Sequence, residues 1–383
     1  MQEMTRYTKA QEDLKIPEQR VGNVEAIQVL EKALELARSH GGVSYAAVAL
    51  IMGDNMGSAS CGGRMGLEPI AQKVVHSLYF ELERLQKERM LGERNYALDN
   101  SFFEYPLSGA APLNWDFLVW LVDAEMTRLR LGGPAPLKVW FSKRDMIPKD
   151  RIGFVDWVIE PLVELLGGII TPAAEGGRHK RIFVPSDIIA RAKAGEKVPS
   201  FKSTPKGRSV VNSVLHGARP VVITLREAPY LEFRNSNLEA WASFARELEA
   251  QGETVFFVRD TAKAFEPLWH FNIFPKAAMD IQVRLALYEA AKVNMFVSNG
   301  PGGLCIFSDL PYIYLTNIKH EFKMYEPNST EWWEREHGLA EGDQWPWATE
   351  KQLTVWDTDE YANIRKAWDE WSARVGTAAG ASN

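Results

Sequence analysis

The chain of 383 residues is nearly without cysteine: Cys61 and Cys305 are its only two. No Cys-x-x-Cys pair exists, which excludes a zinc ribbon and a thioredoxin-like centre and makes a reducing compartment the simplest setting. Long apolar runs are missing as well. No window approaches the ~18 apolar residues that a membrane span needs. The opening MQEMTRYTKAQEDLKIPEQR has no apolar core of a signal peptide, so a cytoplasmic location is expected. Basic excess is absent: 44 Lys and Arg against 50 Asp and Glu leave a net charge of −6. Nucleic acid, which needs a basic face, is therefore not an expected partner. The seven histidines show no metal-ligand spacing. Two nucleotide fingerprints are also lacking. There is no G-x-G-x-x-G in a first β-α turn, which disfavours a dehydrogenase, and no G-x-x-x-x-G-K-[ST], which disfavours a P-loop enzyme.

What is present is an alternation of strands and helices. At roughly 100–200 residues per domain the length predicts about two domains. Residues 1–23 read as an arm. Residues 24–39 have apolar positions at helical spacing, YAAVALIMG (45–53) suits a buried strand, and 69–90 form an amphipathic helix. A helix from about 115 to 131, a strand at 137–142, a helix at 156–168 and short strands at 169–172 and 182–186 follow. KAGEKVPSFKSTPKGRS is polar and rich in Lys, Pro and Ser, and 201–218 is expected to be a linker. From PVVITLRE to PYIYLTN the pattern β-α-β-α-β-α-β occupies about 100 residues, which favours a parallel sheet covered by helices. The expected architecture is two α/β domains, an N-terminal one at 24–200 and a C-terminal one at 219–345, with a helical tail at 346–383. A ligand is expected at the carboxyl ends of the strands, facing an interdomain cleft.

Each strand of the second half ends in polar residues. ITL runs into Arg226-Glu227, FFV into Arg259-Asp260, and MFV into Ser298-Asn299 and the glycines of FVSNGPGGL. Arginine offers phosphate a planar fork of donors. Glycine lets backbone N–H groups approach an anion. The joining stretch EAPYLEFRNSNLEAW adds Arg234 and Asn235, with Ser236 or Asn237 as helix cap. A second arginine near a strand end suits a diphosphate. Arg226 with Glu227, or Arg259 with Asp260, can equally pair for structure alone, and NGPGG can be a simple turn.

The run VITLRE…RNSNLEAWASFARELEAQGETVFFVRD…MDIQVRLALYEAAKVNMFVSNGPGG resembles the donor-binding half of GT-B glycosyltransferases. It is closest to the fucosyltransferase-like group and to bacterial enzymes of surface-polysaccharide assembly. The likeness covers about residues 219–317, with weaker support from QLTVWDTDEYANIRKAW. It implies two Rossmann-like domains facing a cleft, a nucleotide-sugar donor and a glycan or lipid-linked glycan acceptor. It places Arg226 on the donor diphosphate, Asp260 near the nucleoside, and Ser298, Asn299, Gly300, Gly302 and Gly303 in a phosphate-facing loop. Arg234, Asn235 and Arg259 join the expected donor site. The chain departs from the eukaryotic fucosyltransferase pattern, with Thr224-Leu225-Arg226 where His-x-Arg is usual.

An inverting transfer needs a base for the acceptor hydroxyl proton. Asp54, after the first long strand, is the leading candidate, with an Asx-turn as its structural alternative. Glu227 is another candidate, and Glu104 and Asp116 flank a further loop. Asp357-Thr358-Asp359 matches an Asp-x-Asp metal motif but precedes a helix, where Asp caps the first turn. No metal and no cofactor are expected. Thirteen tryptophans, seven of them from Trp332 to Trp371, are expected to anchor a closing segment, with a membrane periphery as the alternative. A nucleotide-sugar epimerase and a non-catalytic binding or scaffold protein remain alternatives for the whole chain.

Overall fold

The computed structural model describes residues 100–107, 114–142, 147–171, 185–322 and 326–381. The chain divides into Met1–Leu98 and Asp99–Asn383, and every described residue belongs to the second unit. The expected arm, the strand at 45–53 and Asp54 lie outside the described residues.

The second unit opens with a three-stranded parallel sheet of β1 (Phe102–Pro106), β2 (Lys138–Ser142) and β3 (Ile169–Ile170), in that order. Between β1 and β2 runs α1 (Asp116–Arg130), which buries Phe117, Leu118, Trp120 and Leu121. Between β2 and β3, a π-helical turn at Val155–Ile159 leads into α2 (Glu160–Leu165). β1 was not expected as a strand, because Glu104 and Pro106 mask its alternation. Phe103 and Tyr105 face the core nonetheless.

Two helices follow, α3 (Pro185–Lys193) and α4 (Pro205–Leu215). The helix at α3 replaces the strand expected at 182–186, of which only the last residues are described. α4 occupies the expected linker. Thr204 caps it through Gly207 N (3.1 Å), and Gly207, Val211 and Leu215 recur at helical spacing as a buried stripe. A Cβ on Gly207 would stand 2.5 Å from the Gln282 carbonyl oxygen, so the small residue permits close helix contact. The Lys and Ser residues that suggest a linker cover its solvent face.

The larger sheet has six parallel strands: β4 (Val221–Thr224), β5 (Val255–Val258), β6 (Asn272–Ile273), β7 (Val293–Val297), β8 (Tyr312–Leu315) and β9 (Gln352–Val355). Their order is β6-β5-β4-β7-β8-β9. α5 (Leu238–Ala250) joins β4 to β5, and α6 (Pro275–Met279) and α7 (Ile281–Ala290) lead to β7. After β7 come α8 (Gly303–Ile306), α9 (Thr330–His337) and α10 (Tyr361–Ala381). The expected tail thus contributes the sixth strand before its helix.

β4, β7 and β8 are buried along their whole length, as strands covered on both faces must be. Val221 and Ile223 face Trp241 and Phe244 of α5 and Trp368 and Trp371 of α10. Val222 and Phe296 face α4 and α7 in a core continuous with that of the first sheet. The chain builds outward from β4 in one direction, then returns to β7 and builds in the other. That reversal leaves a crevice between the carboxyl ends of β4 and β7, where open parallel sheets bind ligands.

Candidate functional site

The loop from β4 to α5 forms one wall of the crevice. Arg226, 6% exposed, turns back into this loop. Its Nη1 donates to Leu231 O (3.1 Å) and to Asn235 Oδ1, and its Nη2 donates to Tyr230 O (3.0 Å). Asn235 also closes on Ala228, accepting from its N–H (3.0 Å) and donating to its carbonyl (2.8 Å). Arg226 N donates to Ser236 Oγ and Ser236 N to Arg226 O, each at 2.9 Å. Arg226 and Asn235, expected on the donor, therefore shape their own loop.

β5 contributes a second correction. The Arg259 guanidinium clasps Glu227 through Nε (2.9 Å) and Nη2 (2.5 Å), with both side chains almost fully enclosed. Lys263 reaches the same carboxylate at 3.5 Å. Arg259 Nη1 donates to the Glu266 and Pro267 carbonyls. Glu227 is thus enclosed as an ion-paired carboxylate and cannot serve as the base, and Arg259 has its partners already. Asp260 accepts from Glu227 N (2.7 Å), so it ties the end of β5 to the end of β4.

The glycines after β7 have close side-chain neighbours. A Cβ on Gly300 would lie 2.0 Å from Cγ of Trp115, at the start of α1. On Gly302 it would meet the Phe296 ring at 2.5 Å, and on Gly303 a Leu118 methyl at 3.1 Å. Gly302 N donates to Asn299 Oδ1 (2.8 Å) and Gly303 N to Gly300 O (3.1 Å). The N–H groups of Gly302 and Gly303 are satisfied within the loop, and α8 is a single turn. Gly300 and Gly303 thus lie close against Trp115 and Leu118 at the start of α1, and Gly302 against Phe296 of β7.

Arg234 is different. Its Nη2 reaches Ser298 Oγ (3.1 Å) at the end of β7, so it crosses from one side of the crevice to the other. Ser298 also bonds the Tyr314 hydroxyl. The Arg234 guanidinium lies 5.8 Å from the centroid of the Trp332 ring. Its Nε is buried without a hydrogen-bond partner, and so is Asn299 Nδ2 on the adjoining strand end. Among the described residues no carboxylate stands within ion-pair distance of Arg234. Burial, and then the nearby Arg226 charge, push its pKa below the ordinary arginine value. Buried polar groups of native proteins almost always have partners. Two buried donors, Arg234 Nε and Asn299 Nδ2, are thus left idle here. Trp332 and Tyr314 were not anticipated; the Trp-rich tail and the strand PYIYLTN carried the only signal for them.

Asp116, the first residue of α1, accepts from Asn114 Nδ2 (2.9 Å) and is felt electrostatically by Arg234. Asp359 is 4% exposed and accepts from Asn237 N (2.7 Å) and Trp241 Nε1 (2.8 Å). It therefore holds the cap residue of α5, Asn237, which itself accepts from Ala240 N (3.2 Å), while Asp357 receives Asn363 of α10 (2.7 Å). Among the described residues no three His, Cys, Asp or Glu side chains gather as a metal ion would require, and no helix is long and apolar enough to cross a membrane. Trp333, Trp345, Trp368 and Trp371 are buried anchors.

No protein-family model and no curated protein matches the chain. Solved structures to which it is similar include ADP-heptose lipopolysaccharide heptosyltransferase II of E. coli, at 12% identity over 77% of this chain and 80% of that one, with a TM-score of 0.35. A glycosyl transferase of family 9 from Veillonella parvula matches at 12% identity over 71% and 91%, with a TM-score of 0.39. An E. coli heptosyltransferase solved with ADP matches at 13% identity over 65% and 78%, with a TM-score of 0.32.

Proposed function

We propose that this chain is a GT-B glycosyltransferase that moves a sugar from a nucleotide-sugar donor to a glycan or lipid-linked glycan acceptor. The observation that carries the reading is Arg234, a half-buried arginine with a buried, unpartnered Nε and no ion-paired carboxylate among the described residues, aimed at Ser298 across the switch point of the large sheet. Its unpartnered Nε and the Asn299 Nδ2 beside it supply donors for a diphosphate. The charge of Arg234 rises in value as the diphosphate leaves, because negative charge builds on it in the transition state. In this reading Arg234, rather than a metal ion, neutralises the leaving diphosphate.

In this reading the acceptor oxygen attacks the anomeric carbon, the bond to the diphosphate breaks, and the configuration inverts. Asp54 or Asp116 takes the acceptor proton. Asp116 has the support of position, since α1 packs on the loop that follows β7. The sequence resemblance of residues 219–317 to donor-binding domains supports the same assignment.

A thermal-shift screen with UDP-, GDP-, ADP-, CMP- and dTDP-sugars tests the reading. At least one is expected to raise Tm in the wild type and to lose that effect in Arg234→Ala. If none does, the donor assignment falls. Sugar conversion without an acceptor would identify an epimerase instead, and tight binding without any turnover would identify a binding protein.

A further inference from the structure

Tyr230 is 67% exposed, yet it is not a loose side chain at a loop tip. The Arg226 guanidinium lies 5.3 Å from its ring centroid and holds its carbonyl at 3.0 Å. One side of the ring is therefore backed by a buried cation, and the rest of the ring is open. The loop beneath it is fixed by the two hydrogen bonds between Asn235 and Ala228 and by the exchange between Arg226 and Ser236. Leu231 adopts φ 49°, a left-handed conformation that costs a branched residue of order 1 kcal/mol or more. Its carbonyl, placed by that conformation, is another acceptor for Arg226. The loop thus keeps a strained shape that presents Tyr230.

The position of the ring limits its ligand. Tyr230 touches Arg226 and shares its loop with Arg234, four residues further along the chain. Phe233, 38% exposed, extends the aromatic surface on the same loop and meets Phe322 edge-on at 4.8 Å. A hydrocarbon chain would favour a continuous apolar patch, whereas the exposed stretch of this loop places the charged Glu232 next to Phe233. A flat, cation-backed ring beside a diphosphate site suits a flat heterocycle joined to that diphosphate.

We infer that Tyr230 is the stacking platform for the nucleobase of a nucleoside diphosphate, backed by Arg226 and set beside the diphosphate held at Arg234. The inference rests on the donor reading above and adds how the base is recognised. Stacking uses the π-face that every base has, so it holds a base without reading its hydrogen-bonding edge. Arg226, expected to touch the diphosphate, instead acts through Tyr230 as a positioning residue.

The experiment is titration calorimetry of the full chain with ADP, GDP, UDP and inorganic pyrophosphate. Tyr230→Ala is expected to weaken the nucleoside diphosphates about tenfold, the order of one stacked base, and to leave pyrophosphate unchanged. Tyr230→Phe retains the ring and is expected to bind like the wild type. Arg234→Ala is expected to weaken pyrophosphate and nucleoside diphosphates together. The inference is overturned if Tyr230→Ala leaves the nucleoside diphosphates unaffected, or weakens pyrophosphate equally, while wild-type binding persists. If the wild type binds neither class, the donor reading fails first and this inference with it. Far-ultraviolet circular dichroism of each variant separates lost stacking from lost fold.

Discussion

Arg234 donates to Ser298 across the gap between β4 and β7, and no carboxylate among the described residues forms an ion pair with it. Enclosing a cation without a counter-charge lowers stability, whereas an apolar side chain of similar length does not. Arg234→Met is therefore expected to raise stability by about 1 kcal/mol while removing nucleotide-sugar binding. Urea unfolding and the ligand-induced Tm shift, measured on the same sample, check both halves. A variant that loses both stability and binding would make Arg234 a structural residue.

Glu227 and Arg259 present the opposite case. Their buried, two-pronged pair joins the ends of β4 and β5. Removing Arg259 leaves the enclosed Glu227 carboxylate only the more exposed Lys263 at 3.5 Å, a loss of about 3 kcal/mol. Arg259→Met is expected to lower stability by about that amount, and Glu227→Leu added to it to restore much of the loss. A double-mutant cycle in urea measures the coupling, and additive losses would contradict a buried pair.

How far the sequence reveals these relationships depends on how local they are. VVIT, VNMFV and YIYL read as buried strands because their apolar runs need no partner to be recognised. α4 does not read as a helix, because Gly207, Val211 and Leu215 make sense only against α7. β9 is hidden for a related reason: QLTV becomes a strand by pairing with β8. In the site, the arginines and the small-residue loop are legible at the strand ends. Which arginine is paired is not, since the Glu227–Arg259 contact spans 32 residues. The glycines signal close approach correctly, but their neighbour is Trp115, a residue far away in sequence.

That neighbour makes a test. A methyl group on Gly300 would stand 2.0 Å from the Trp115 indole, far inside contact distance. Gly300→Ala is expected to destabilise by about 1–3 kcal/mol through overpacking. If the glycine is bare for the indole, Trp115→Ala should make Gly300→Ala nearly neutral in the double variant. If it is bare for a phosphate, the double variant should keep a separate loss of nucleotide affinity. Thermal unfolding with and without nucleotide distinguishes the two.

His337 gives a prediction for pH. Its ring packs against Trp333 at 4.5 Å and Trp332 at 4.9 Å. Burial, and then the Arg234 charge, hold its pKa down to about 3, against 6.5 in the open chain. Between those values the unfolded chain binds the proton and the folded chain does not. Acid therefore draws the equilibrium toward unfolding, and the stability present above pH 6.5 is lost as pH falls toward 3. From about pH 7.5 to about pH 5 the expected loss from this one residue is roughly 2 kcal/mol. His337→Phe keeps an aromatic ring among the indoles and removes the titration. Urea unfolding of both proteins at the two pH values should show the wild type losing more than the variant by roughly that amount. Equal losses would mean that His337 is charged in the folded chain, which its place beside the Arg234 guanidinium opposes.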